Sequence, residues 1–147
     1  MRDLAQRPRS VALFERLYVS SQAASILAIF LHYGTLRSAA IANGSFPAGP
    51  IVGVFLILVI SVPLWFFIVR RASNIAKWIT IILFAIGLLG LPSSLSKTLA
   101  VGPAYFVLSL LALVLSIGSV IMLFKQDSVF WLKSNGKALP VDPEIFS

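Results

Sequence analysis

The sequence contains no cysteine. That single absence removes disulfides, thiolate metal ligands, covalent haem attachment and a thiol nucleophile. Histidine is nearly as scarce, with His32 standing alone. No serine–histidine–aspartate set, pair of carboxylates or HExxH zinc motif is present, and the glycines form no phosphate loop after a strand. Charge is also sparse: 12% of the 147 residues are charged, against roughly 25% in soluble domains. Nothing here equips the chain as an enzyme.

What is present is apolar. Hydrophobic residues make up 59% of the chain and the mean hydropathy is +0.96, whereas soluble domains average about 45–50% apolar. A water-soluble fold of this size needs more polar residues to cover its surface. Disorder fails on the same numbers. The eight prolines and nine glycines are ordinary, so collagen-like and low-complexity readings fall away. An integral membrane protein remains.

A bilayer core about 30 Å thick needs roughly 20 mostly apolar helical residues to cross it. Two stretches, 50–69 and 104–124, meet this without a charge. A third, 75–91, carries Lys77 in its first turn and stops at Pro92. The first, 11–33, is the most polar, with Ser20, Ser21, Gln22 and Ser25. The expectation is an all-α, four-span polytopic fold, one membrane domain over 1–147, with a tail at 125–147 lying along the membrane surface. An uncleaved first helix fits better than a signal peptide, because no small-residue cleavage site precedes a soluble domain.

Charge placement sets the orientation. Ten basic residues (Arg2, Arg7, Arg9, Arg16, Arg70, Arg71, Lys77, Lys125, Lys133 and Lys137) fall on the side shared by both termini. The other side holds only Arg37 and Lys97. The positive-inside rule then puts both termini in the cytoplasm and the protein in the inner membrane as a multi-pass chain. All five acidic residues (Asp3, Glu15, Asp127, Asp142 and Glu144) share that face, leaving it net positive by five. The net charge of +7 and the pI near 10.4 therefore speak of orientation and anionic headgroups rather than nucleic acid. Trp65, Trp78 and Trp131 map to the inner interface as anchors, and Tyr33 and Tyr105 to the outer one.

Ser10, after Pro8, is placed to cap a helix from Val11. Residues 34–49 read as the longest connection, with a turn at Asn43-Gly44-Ser45 rather than a glycosylation site. The link at 70–74 is so short that spans two and three must be antiparallel neighbours. Pro63 should kink span two or free a carbonyl. Between Pro92 and Gly102-Pro103 there is room for a short helix.

Small residues let helices approach closely in lipid. Ser109, Ala112, Ser116 and Ser119 form a stripe on span four, and Ser20, Ala24 and Ala28 one on span one, with Gln22 as an added hydrogen-bonding group. Gly49 and Gly53 form a pair at the outer end of span two, and Gly87 and Gly90 sit late in span three. These fit internal packing or a docking face. No deep ionisable group is present, as proton-coupled transport and charged pores usually need. Glu15 invites comparison with small multidrug transporters, but Arg16 beside it and the fixed orientation argue instead for an interfacial ion pair with Arg70 or Arg71. His32 is a candidate axial ligand for haem or chlorophyll without a second ligand. No cofactor is expected beyond bound lipid.

Three stretches carry a resemblance. Arg7-Pro8-Arg9-Ser10-Val11 runs into Phe14-Glu15-Arg16-Leu17-Tyr18; Arg70-Arg71-Ala72-Ser73 runs into Asn74-Ile75-Ala76-Lys77-Trp78; and Phe124-Lys125 precedes Asp127 and Trp131. Together they resemble a group of small, uncharacterised bacterial four-helix inner-membrane proteins. The resemblance implies topology and a bacterial origin, and it brings no activity or functional residue. The expected role is a non-catalytic accessory or structural subunit docking on a larger respiratory or photosynthetic membrane complex. The expected partners are membrane lipids and other membrane subunits. The alternative is a small homo-oligomeric transporter or channel, with Gln22, Ser25 and the 109–119 stripe lining a cavity. A lipid-directed enzyme would instead use Glu15 as acid with Arg70 or Arg71 as phosphate clamp.

Overall fold

The computed structural model describes residues 7–134 and 136, apart from the side chains of 93–96. Arg2, Asp3, Lys137, Asp142, Glu144 and the remainder of the carboxyl tail lie outside the described residues. Among the described residues seven helices follow one another: α1 (Arg9–Leu31), α2 (Tyr33–Ala42), α3 (Gly49–Arg71), α4 (Asn74–Leu89), α5 (Leu91–Val101), α6 (Pro103–Phe124) and α7 (Gln126–Lys133). Among the described residues there is no strand.

Local chemistry explains most of the boundaries. Pro50 and Pro103 sit in the first turns of α3 and α6, where a missing N–H costs nothing. Gly102 links α5 to α6 at φ +145°, a backbone conformation that disfavours any side chain. Between α3 and α4 the chain turns through Ala72 at φ +50°, and the Ser73 N–H donates to the Phe67 carbonyl at 3.0 Å. Ser73 then caps α4, its hydroxyl accepting from the Ala76 N–H at 3.3 Å. Arg70 and Arg71 lie in the last turn of α3, where cations complement the helix dipole. α3 continues through Pro63 to Arg71.

Helix α1 starts two residues earlier than expected. Pro8 is its flanking residue, and the Pro8 carbonyl accepts from Val11 and Ala12. Ser10 therefore does not cap; it is buried inside the first turn. At the other end α1 stops at His32 and the chain bends by 68° into α2. Residues 33–42 are thus a helix rather than part of a loop. Neither the Gly34 break nor the weakly apolar composition was enough to prevent it, since α2 rests on α3. The expected short helix after Pro92 is present as α5, packed on α6.

Among the described residues two helices, α3 and α6, are long and apolar enough to cross a membrane, and α1 with α2 makes a third if the bent pair is one span. α4 is apolar but has only 16 residues. At 1.5 Å per residue that is about 24 Å, short of a core about 30 Å thick.

α1 runs antiparallel to α6 along its length, its principal partner. Paired positions mark the register: Ser10 with Ser128 just beyond α6, Ser21 with Ala112, and His32 with Tyr105. The α3–α4 hairpin packs on this pair more loosely. The buried apolar cluster sits at one end only, where α7 folds back. It gathers Val11, Phe14 and Tyr18 from α1, Ile68 and Val69 from α3, Ala76 from α4, Leu123 from α6, and Trp131 and Leu132 from α7.

Candidate functional site

The candidate site is the pair of seams that α1 makes with its neighbours. Against α6 the contact is close. The Ser21 hydroxyl donates to the Ala112 carbonyl at 2.8 Å, which only helices packed backbone to backbone permit. Ala28, Ala112 and Ser119 are buried along it, and Ser109 and Ser116 are half-buried. A methyl built on Gly118 would meet Leu17 Cδ1 at 3.4 Å. The α6 stripe therefore faces inward over its length.

The α1 stripe is rotated from the expected one. Ser20 is exposed and Ala24 half-buried, while the buried line runs through Ser10, Phe14, Tyr18, Ser21 and Ala28. With polar and apolar residues spread round its circumference, α1 has no clear apolar stripe to fix which face turns in. Position of α6 decides it, and Ser21 rather than Ser20 meets a partner. The Cα faces of Gly49 and Gly53 are open: beyond their own helix, no atom lies within 4 Å of a methyl built on either. Gly87 is equally open, and Gly90 meets only the Gly87 carbonyl of its own helix end.

Against α3 the seam is open. Tyr18 and the Ser61 carbonyl meet through a 3.4 Å hydrogen bond, and beyond it the helices part. The groove between them has a volume of about 330 Å³, lined by Tyr18, Val19, Gln22, Ala23 and Ile26 on α1 and by Leu58, Ser61, Val62 and Trp65 on α3. A second cavity of about 320 Å³ lies deeper, between α1, α3, α4 and α6, and shares Tyr18, Gln22 and Ser61 with the first. Thr80, Phe84 and Ser119 close its far side. Neither cavity is lined by an Asp, Glu, Lys, Arg or His.

The hydroxyls around these cavities are already engaged. Ser61 donates to the Ile57 carbonyl, Thr80 to Ala76 at 2.9 Å and Ser119 to Ser116 at 2.7 Å. Such back-bonding satisfies a hydroxyl without leaving the helix. Gln22 is different. Among the described residues nothing hydrogen-bonds its carboxamide, and it lines both cavities. Gln22 is half-buried, whereas the Trp65 indole N–H is fully enclosed without an acceptor.

At the α7 end the charged residues arrange themselves otherwise than expected. Glu15 pairs with Arg7 at 3.0 Å, one end of α1 closing on itself, rather than with Arg70 or Arg71. Arg71 lies over the Phe67 ring, its guanidinium carbon 5.8 Å from the centroid. Arg7, Glu15, Arg16 and Ser20 border an open surface hollow of about 590 Å³. Lys77 is 4% exposed and sits over the Phe124 ring at 5.0 Å, an arrangement that a cation tolerates better than bare hydrocarbon.

The three tryptophans divide. Trp78 is 52% exposed and presents its ring outward, whereas Trp131 is 5% exposed and belongs to the core rather than to the surface. Trp65 is half-buried beside the groove. Helix α7 accordingly tucks into the molecule: Ser128 Oγ lies 2.8 Å from Ser10 Oγ and 2.7 Å from the Met122 carbonyl. Outward-facing Phe130 and Lys133 leave one side of it exposed. His32 is engaged structurally. Its Nδ1 lies 3.1 Å from the Ala28 carbonyl, a donor position in the matching tautomer, and its ring meets Tyr105 edge-on at 5.4 Å. Among the described residues no three His, Asp or Glu side chains group to hold a metal.

Comparisons of the chain with protein-family models, with curated proteins and with solved structures return no match.

Proposed function

We propose that this chain is a non-catalytic membrane protein of a bacterial inner membrane, an accessory subunit that docks on a larger membrane assembly of the respiratory or photosynthetic kind. The proposal includes four crossings in a bundle and cytoplasmic termini. In it α4 crosses as a short helix by local thinning of the bilayer, and the charge asymmetry fixes the orientation.

One observation carries the docking role. Between α1 and α6 small residues are used for close approach, yet a methyl built on Gly49 or Gly53 of α3 would meet no other part of the chain within 4 Å. A small-xxx-small pair on an apolar helix is a surface that a second helix can approach closely. The test is the native mass and composition of the tagged protein, extracted from its own membranes in mild detergent. Co-migration with a larger assembly at fixed stoichiometry, lost in Gly53→Leu while the isolated chain stays equally stable, is the expected result. A chain that purifies alone and moves a solute across liposomes would overturn it.

A second reading has its own support. Gln22 and Ser119, two of the positions that a homo-oligomeric transporter or channel would use, line the deeper cavity, although Ser25 and Ser109 are not among its lining residues. Flux through reconstituted protein that falls on Gln22→Leu or Ser119→Leu would favour it.

A further inference from the structure

We propose that the corner where α4, α6 and α7 meet is a binding site for the headgroup phosphate of an anionic phospholipid of the inner leaflet, held between the Lys77 and Lys133 ammonium groups. The inference rests on the membrane placement proposed above and not on the docking role. Arg9, Arg16, Arg70, Lys125 and Lys133, at the same end of the molecule, are exposed and reach water unaided. Lys77 is the exception at 4% exposed. Its ammonium lies 5.0 Å from the centre of the Phe124 ring, at the carbonyl end of α6.

An ammonium has three donors to satisfy. Among the described residues the Lys77 ammonium hydrogen-bonds nothing, not even a carbonyl of α6. No carboxylate is within ion-pair distance either: Glu15 is taken by Arg7, and the exposed Asp127 pairs with neither lysine. Its other charged surroundings repel it. Lys133 on α7 is near enough for its charge to act on Lys77, and the first turn of α4, the positive end of that helix, holds no acidic residue. The ammonium is not sealed in. Among the described residues the Trp65 indole nitrogen is the one enclosed side-chain nitrogen or oxygen without a partner, so the Lys77 ammonium, also unpartnered, reaches the surface. An anion with several oxygens supplies what is missing, because it can accept from both lysines at once. The neighbouring surface says that this anion is carried by a lipid. Phe124 and Ile121 are exposed on α6 and lead from the corner toward the middle of the helix, a wall for acyl chains. Basic pockets between spans on the cytoplasmic side hold headgroups in this way.

The experiment uses the full chain in mild detergent, titrated with phosphatidylglycerol or, as zwitterionic control, phosphatidylcholine, with retained lipid counted by native mass spectrometry. The expected result is a single tightly held phosphatidylglycerol and no phosphatidylcholine held as well. Lys77→Gln should weaken that binding about tenfold and Lys133→Gln about threefold, as charge-assisted contacts to the phosphate are lost. Lys77→Arg should keep most of it. Arg16→Gln, which removes the same charge from the same end of the molecule, should leave it unchanged. Lys133 is exposed, so its variant tests the site even where Lys77→Gln fails to fold. Binding lowered as much by Arg16→Gln as by the lysine variants would reduce the site to a diffuse basic surface and overturn the proposal. So would affinity unchanged in both lysine variants, or displacement by millimolar inorganic phosphate, which would give the site to a free anion. Binding seen only in the double variant Asp142→Asn/Glu144→Gln would give it to the chain's own tail. Release of the chain from membranes by alkaline carbonate alone would instead contradict the crossing on which the site depends.

Discussion

Helix α1 makes two seams of opposite character with neighbours of similar composition. Toward α6 it presents Ser21 and Ala28 to Ala112, Ser119 and Gly118, and the backbones come close enough for a side chain to bond the facing carbonyl. Toward α3 it presents Tyr18 and Gln22 to Leu58 and Trp65, and the helices stand apart around a groove. Hydrophobicity cannot separate the two cases, because lipid is as apolar as leucine. Side-chain size does. Small residues on both partners close one seam, and bulky residues on both hold the other open, with the shared core at the α7 end holding α1, α3, α4, α6 and α7 together.

The largest effect should come from that shared core. Phe14 is fully buried where both seams begin, and Phe14→Ala should cost about 3–4 kcal/mol, read as the midpoint shift in reversible SDS unfolding. The same chemical change placed on each seam sharpens the comparison. Ala112→Leu forces bulk between α1 and α6 and should cost about 2 kcal/mol, whereas Ala23→Leu points into the groove and should stay within about 0.5 kcal/mol. Equal losses for the two would erase the distinction. Gln22→Leu, removing a half-buried amide that makes no hydrogen bond among the described residues, should leave the protein unchanged or more stable by up to about 1 kcal/mol. Smallest is Glu15→Gln: its pair with Arg7 is partly exposed, so the change should fall below about 1 kcal/mol and shrink further in high salt.

The helical class and the apolar stretches of α3 and α6 were legible because each is a long uncharged run bounded by proline or basic residues. The α6 stripe was legible too, since its small residues recur at threes and fours on one face. The facing line on α1 was not. Ser20 and Ser21 are adjacent, and a sequence gives no reason to prefer the one that meets Ala112. The bend at His32 escaped notice for a related reason: α2 owes its helix to a support, α3, that lies far away in the sequence. Trp131 and Ser128 likewise read as surface residues of a tail until α7 is seen folded against Ser10 and Leu123. Glu15 was expected to reach the basic turn after α3, but Arg7 is eight residues away on the same segment and needs no tertiary contact.

The chain's lack of cysteine makes one measurement direct. Two double variants in native membranes, Ser21→Cys with Ala112→Cys across the α6 seam and Ala23→Cys with Val62→Cys across the α3 seam, can be oxidised side by side. The first pair should close into a disulfide within minutes, while the second should resist direct oxidation and join only through a longer bis-maleimide bridge. Disulfide formation at equal rates in both pairs would mean that α1 and α3 are closely packed in the membrane, and the account of one closed and one open seam would be wrong.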